Sequence, residues 1–253
     1  MIATSTANGV ATIQIARPEK KNALTAAMYR SMADAVAAAV ADPGVRSLLI
    51  TGQPGVFTAG NDLEDFMQRP PTGEDAPAFR FMRALIDCDK PVVAAVTGVA
   101  VGIGTTMLLH CDLVYVSEDA HLSMPFVALG LVPEFASSFL LPRLLGGAAA
   151  AEYVLLGEPF TGAHAVTLGI ANAALPAGEV LLFARQMAER LASWPPEAMR
   201  ATKRLLRAGT RAAVDQSLRD ESAVFVERLR SPEAKAAFEA FLQRRRPPGS
   251  RLR

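Results

Sequence analysis

The stretch KPVVAAVTGVAVGIGTT, residues 90–106, decides how this 253-residue chain folds. Residues 91–96 are short, strongly apolar and rich in Val, the pattern of a strand covered on both faces. Gly98, Gly102 and Gly104 then break the run. The small residues around them lead into a helix whose first-turn N–H groups lack intrahelical partners and point outward. A second small-residue stretch, VFTAGNDL at residues 56–63, also follows a buried strand and sets its backbone where a ligand can approach closely. Each alone fits an ordinary glycine-containing connection as well as a binding segment. Together they can supply two converging N–H donors.

Residues 47–51 and 113–116 repeat the short buried-strand pattern, and residues 10–15 alternate Val10, Ile13 and Ile15 with Thr12 and Gln14 before Arg17-Pro18 stops them. Between residues 25 and 40 the period changes. Met28, Met32, Val36 and Val40 recur every fourth residue, Thr25 can cap, and Asp42-Pro43-Gly44 ends the helix. Strands and helices therefore alternate in an α/β core through about residue 130. Beyond Ser137 no strand signal is read, and residues 148–156, 163–168, 180–192, 196–208, 211–229 and 232–242 read as helices. Their apolar stripes, such as Leu218, Val224, Phe225 and Leu229, must cover either the core or a neighbouring subunit. The boundaries expected are a core over 1–195, a helical region over 196–243, and a basic, Pro-containing, disordered tail over 244–253.

Lys and Arg total 26 against 25 Asp and Glu, so no long-range field draws in nucleic acid or an anionic membrane. Any anionic ligand must be held locally. Cys88 and Cys111 are too few for a disulfide framework and lack metal-site spacing, which suits a reducing compartment. The beginning MIATSTANGV has no basic segment followed by an apolar one, and the ending RLR is no peroxisomal address. A cytoplasmic protein is expected, with no metal and no membrane partner. G-x-G-x-x-G after a strand, the phosphate-binding G-x-x-x-x-G-K-[ST] and the G-x-S-x-G elbow are all missing, and His110, His121 and His164 stand far apart.

In GLVPEFASS, residues 130–138, one carboxylate sits among apolar residues. Glu134 alone fits a first-turn helix glutamate stabilised by the macrodipole. The surroundings keep a second reading open, a base whose pKa is raised by burial near Phe126, Leu131 and Phe135.

These segments, in this order, resemble the crotonase or enoyl-CoA hydratase/isomerase superfamily over nearly the whole chain. The matching features are Arg17-Pro18, Asn22-Ala23-Leu24, FTAGNDL at 57–63, KPVVAAVTGVAVGIG at 90–104, Cys111-Asp112, ALGLVPE at 128–134 and Leu168-Gly169-Ile170. The resemblance implies a spiral of ββα turns with a C-terminal helical region used in trimers or hexamers. It implies an acyl-CoA substrate with no separate cofactor, and an oxyanion hole from the backbone N–H groups of Asn61 and Ile103. Substrate contacts are implied for Ala59, Gly60, Asn61, Asp62, Leu63, Gly102 and Phe126. Hydratases of the family use two glutamates, whereas the matching positions here hold Thr106 and Phe126, neither of which can act as a carboxylate base. Pro133-Glu134-x-x-Ser137-Ser138 is instead similar to the Δ3,Δ2-enoyl-CoA isomerase branch, in which a glutamate at this place is the base. A hydratase, another thioester-enolate enzyme and a non-catalytic acyl-CoA binding protein are the alternatives.

Overall fold

A computed structural model describes residues 1–73 and 75–245. The elements run β1 (Ile2–Ala7), β2 (Val10–Ile15), α1 (Ala26–Ala41), β3 (Ser47–Thr51), β4 (Val56–Thr58), α2 (Leu63–Gln68), α3 (Pro77–Asp87), β5 (Val92–Val96), β6 (Val99–Val101) and α4 (Ile103–Thr106). Then follow β7 (Leu113–Ser117), β8 (His121–Ser123), α5 (Ser137–Leu145), α6 (Gly147–Ala151), β9 (Phe160–Thr161), α7 (Gly162–Thr167), β10 (Ala173–Leu175), α8 (Val180–Ser193), α9 (Pro196–Ala208), α10 (Arg211–Leu229) and α11 (Pro232–Arg245).

Two sheets form from strands taken alternately. Among the described residues, β1-β2-β3-β5-β7-β10 make one sheet and β4-β6-β8-β9 the other. β3, β5 and β7 each enter the larger sheet, and the next strand of each, β4, β6 or β8, enters the smaller one before the chain turns into helix. That is the ββα spiral. Pairing in the larger sheet is parallel except for the β1–β2 hairpin, whose turn at Asn8-Gly9 has φ of 52° and 75°, the left-handed values an Asn-Gly hairpin turn accepts.

Alternation along each buried strand feeds two cores. Leu48 and Ile50 face the main core with α1 and α3, while Leu49 joins Val10, Val93, Ala95 and Tyr115 against α8. α8 meets that face with Val180, Ala184, Ala188 and Ala192, one residue per turn along a single stripe. α1 begins as the sequence predicts, with Thr25 Oγ1 accepting the Met28 N–H at 3.3 Å. Its C-terminus is closed by a residue far away in sequence. The buried Lys90 ammonium donates to Ala39 O at 2.7 Å and Asp42 O at 2.6 Å, placing a cation on the negative end of the helix. Lys203 of α9 then donates to Lys90 O at 2.6 Å and Asp112 Oδ2 at 2.7 Å, which ties the C-terminal helices to the core.

The sequence reading requires two corrections. Strands do occur beyond Ser137: β9 pairs antiparallel with β8, and β10 pairs parallel with β7. Both are too short for a visible period, and Ala173-Ala174 has little intrinsic strand preference, so the sheet edges impose these conformations. Glu134 is not in a first turn, because α5 begins only at Ser137. Of the two coverings expected for the α10 stripe, the core takes Leu218 and Phe225, while Val224 stays exposed. The expected tail falls largely on residues 246–253, outside the described residues; residues 244 and 245 end α11. No described helix is long and apolar enough to cross a membrane.

Candidate active site

The two small-residue segments meet through β4 and β6, which run parallel with Thr58 opposite Ala100. Gly60 has φ 82°, and a Cβ built there would lie 2.8 Å from Val101 O, so only glycine allows the backbones this close. Gly102, with φ 57° and ψ −118°, turns the chain from β6 into α4. Its carbonyl accepts the Thr105 and Thr106 N–H groups at 2.9 and 3.0 Å, leaving Ile103 N–H at the opening of the helix. Neither Asn61 N–H nor Ile103 N–H donates to another described residue. These are the two groups that the sequence resemblance nominates.

The residues flanking Asn61 are fixed by the Arg17–Leu24 segment. Asn22 Nδ2 donates to Val56 O and Phe57 O at 3.0 and 3.1 Å. Ala59 N–H donates to Lys21 O at 3.0 Å, and Leu24 N–H donates to Gly60 O at 2.8 Å. The Asp62 side chain caps α2 through the Glu64 and Asp65 N–H groups and pairs with Arg17 at 2.6 Å. Burial pushes its pKa up, but the Arg17 hydrogen bond, the Asp65 N–H and nearby positive charge outweigh this and hold it below the ordinary range. Its carboxylate is thus engaged in structure. Leu63 opens α2, and the Phe126 ring lies against Gly102, where a built Cβ would stand 3.7 Å from it. Tyr29 of α1, fully buried, donates its O–H to Asn61 Oδ1 and fixes that side chain.

Glu134 is 2% exposed. Its Oε1 accepts the Thr106 hydroxyl at 2.8 Å. Burial raises its pKa from 4.5 to about 8; the Thr106 hydrogen bond opposes the rise and the Glu221 charge adds to it. Burial, reinforced by the Glu134 charge, also pushes the Tyr29 phenol well above its ordinary value. The carboxyl therefore stands near neutrality in proton affinity, where one group can both take and return a proton. Phe126, Leu131 and Phe135, the apolar neighbours read from the sequence, are all buried.

The backbone beyond Glu134 is unusual. Phe135 and Ala136 have φ of 64° and 57°, left-handed conformations that cost a non-glycine residue about 1–2 kcal/mol each. Three sets of contacts hold them. Glu134 O accepts the Ser137 hydroxyl at 2.6 Å and its N–H at 3.2 Å. His110 Nε2 lies 2.6 Å from Phe135 O, its ring stacked on Phe135 with centroids 4.2 Å apart. Burial pushes His110 down to about 3, so the ring is neutral and Nε2 carries the hydrogen it donates. Finally, Glu221 of α10 accepts Ala136 N–H at 2.6 Å and Ser138 N–H at 2.8 Å. α5 has no cap of its own, and this carboxylate from another helix supplies one.

Sequence reasoning named Glu134, Asn61 and Ile103 and registered Thr106 only as a departure from a family pattern. It missed Tyr29, His110 and Glu221. Glu221 alone had a local signal: it lies on the buried stripe of α10 between Leu218 and Phe225, where a charge needs a partner. Among the described residues no three His, Cys, Asp or Glu side chains are grouped to hold a metal ion.

Residues 5–250 match the family described as enoyl-CoA hydratase/isomerase. The chain belongs to this family. Enoyl-CoA hydratase/isomerase members act on acyl-CoA thioesters, and this chain is similar to proteins named for both reactions. It is 32% identical over 244 residues to a probable enoyl-CoA hydratase of Bacillus subtilis strain 168, with 94% of each chain covered. It is 33% identical over 248 residues to human enoyl-CoA delta isomerase 2, covering 94% of this chain and 62% of that protein. The solved structure of Pseudomonas aeruginosa OdaA superposes with a TM-score of 0.94 at 50% identity, covering 95% of this chain and 98% of that one. The crotonase fold is thereby established, and the names leave the choice of reaction to the site residues.

Proposed function

We propose that this protein is a Δ3,Δ2-enoyl-CoA isomerase, moving the double bond of a 3-enoyl-CoA to the 2-position. The observation that carries this reading is the Thr106–Glu134 pair: where hydratases of the family would hold a carboxylate, Thr106 instead donates to Glu134 Oε1 at 2.8 Å. Glu221, the other buried carboxylate close by, is occupied with two backbone N–H groups. Hydration needs a held water and proton delivery to the neighbouring carbon, a task suited to paired carboxylates. Isomerisation needs a single carboxyl.

The C2 proton of a 3-enoyl thioester lies between a carbonyl and a double bond. Glu134 takes it, the electron pair spreads through a dienolate onto the thioester oxygen, and the same carboxyl returns the proton to C4. A proton affinity near 8 suits both transfers at neutral pH. Asn61 N–H and Ile103 N–H stabilise the oxygen as its charge grows, and removal of one such donor elsewhere costs about 2.7–4 kcal/mol. Ala59, Gly60, Asp62, Leu63, Gly102 and Phe126 form the proposed surroundings of the acyl-CoA, and CoA itself enters only as part of the substrate.

We place the activity in cytoplasmic fatty-acid degradation and propose a homotrimer or hexamer. The exposed Leu155, Leu156, Leu205 and Leu206, at 63–80% exposure, support the assembly; light scattering giving one protomer's mass at micromolar concentration would remove it. The reaction is tested by offering purified protein 3-enoyl-CoA and 2-enoyl-CoA in parallel and separating isomerised from hydrated products. Isomerisation should exceed hydration by orders of magnitude in kcat/KM. Comparable hydratase kcat/KM refutes the assignment.

A further inference from the structure

Glu221 is 7% exposed, on a helix 85 residues from the amide it caps, and among the described residues it forms no ion pair. A buried carboxylate without a cation is expensive to maintain. Here its two oxygens are used on Ala136 N–H and Ser138 N–H, either side of the point where α5 begins. These amides are presented to it only because Phe135 and Ala136 hold positive φ. The same two residues connect Glu134 to α5, so any relaxation of their backbone toward ordinary conformations would swing the Glu134 side chain away from Thr106.

We propose that Glu221 is a positioning residue for Glu134: from the C-terminal helix α10 it locks the left-handed pair that aims the base, so turnover depends on a carboxylate that touches no substrate. The inference rests on the reading of Glu134 as the base. Its partners are specific. The hydroxyl of Ser137 and the ring of His110 hold carbonyl groups of this segment, whereas among the described residues Glu221 alone holds its N–H groups by side-chain acceptance.

The arrangement also couples the two carboxylates electrically, since the charge of Glu221 favours the protonated form of Glu134. Other titratable groups facing the pair are Tyr29 from α1, neutral His110 and Asp220 beside Glu221. Cations carried by α3, α9 and α10 pair with other carboxylates: Arg83 of α3 and Arg211 with Asp215, Lys203 and Arg207 of α9 with Asp112, and Arg228 with Glu233 of α11. Removing the Glu221 charge therefore makes Glu134 easier to ionise while loosening its aim, two effects with separate readouts.

Glu221→Gln keeps the size of the side chain but turns an N–H toward one of the two amides, so one hydrogen bond is lost. Displacements of about 1 Å at reacting groups can cost on the order of 10²-fold. The expected result is a kcat loss of that order with KM within about threefold, and an acid limb of kcat/KM moved to lower pH. Amide exchange over residues 134–141 should quicken. Adding Ala136→Gly, which occupies positive φ without a Cβ penalty, should restore a measurable part of kcat. If E221Q does not accumulate folded, Glu221→Asp keeps the charge, shortens its reach and reads the same kcat loss and exchange without the pH shift. E221Q with kcat within twofold of wild type, or a lowered kcat with an unmoved acid limb and unchanged exchange, overturns the proposal. Glu134→Gln, assayed alongside, separates the two readings: if it remains active, the base assignment falls and takes this inference with it. If it is inactive beside a fully active E221Q, this inference alone falls.

Discussion

Glu134→Gln should make the protein more stable as it destroys its activity, and the gain should grow with pH. Glu134 is fully enclosed, and its proton affinity rises from 4.5 to about 8 on folding. An acid raised in the folded state contributes full stability below its unfolded pKa. That contribution is lost as pH rises, because the unfolded chain gives up the proton first and the folded chain must then bury a charge. The window therefore runs from about pH 4.5 to about pH 8. At about 1.4 kcal/mol per tenfold change in proton affinity, the wild type loses up to about 5 kcal/mol across it. The amide introduced by the substitution would keep an acceptor for the Thr106 hydroxyl and never ionises. Urea unfolding of both proteins at pH 5 and pH 9, at fixed concentration because association adds stability, should give similar midpoints at the lower pH. At the higher pH the variant should be several kcal/mol more stable. In parallel, isomerase kcat should fall by at least about 10²–10⁴-fold while KM changes little. A stability difference independent of pH would refute the buried, high-affinity carboxyl, and near wild-type turnover would refute its role.

Thr106→Val deletes the hydroxyl that favours ionised Glu134; the acid limb of kcat/KM should move upward, and a charge-assisted bond of about 1.5–3 kcal/mol predicts a ten- to hundredfold loss at neutral pH. A downward move would contradict the hydrogen bond's direction. Gly60→Ala places a methyl group 2.8 Å from Val101 O at a residue of φ 82°. The Asn61 N–H should be displaced, with kcat/KM down by about 10²-fold or more, and a variant within threefold of wild type would speak against that donor. Lys203→Met, at a residue only 6% exposed, leaves Lys90 O and Asp112 short of a donor and should cost about 3 kcal/mol by urea unfolding. No loss would mean Arg207 suffices for Asp112.

What the sequence revealed depended on how long each pattern ran. β2, β3, β5 and β7, of five or six residues, show their apolar runs plainly, and α1 shows its period and its cap. β4, β6 and β8 are three residues each and β9 only two. Segments so short hold strand geometry because a neighbouring edge offers hydrogen bonds, and that information lies in other parts of the chain. The site divides the same way. Glu134 stood out as a charge among apolar residues, and the donor segments stood out by their glycines. Positive φ at Phe135 and Ala136, neither a glycine nor an asparagine, has no sequence mark, and its support from Glu221 and His110 arrives across many intervening residues.

The alanine stripe of α8 determines which side of the molecule can hold a ligand. With methyl groups at 184, 188 and 192 against Leu49, Val93 and Ala95, the helix lies close on the sheet, and the Ser47 hydroxyl reaches the Ala188 carbonyl at 2.8 Å. No depth is left between them, so every insertion or loop change on that side adds surface without adding volume. Under the proposed function, change toward longer or bulkier acyl groups falls to the opposite face, where the Phe126 ring lies against Gly102. A graft of new specificity onto this scaffold should begin at that ring and leave the back of the sheet untouched.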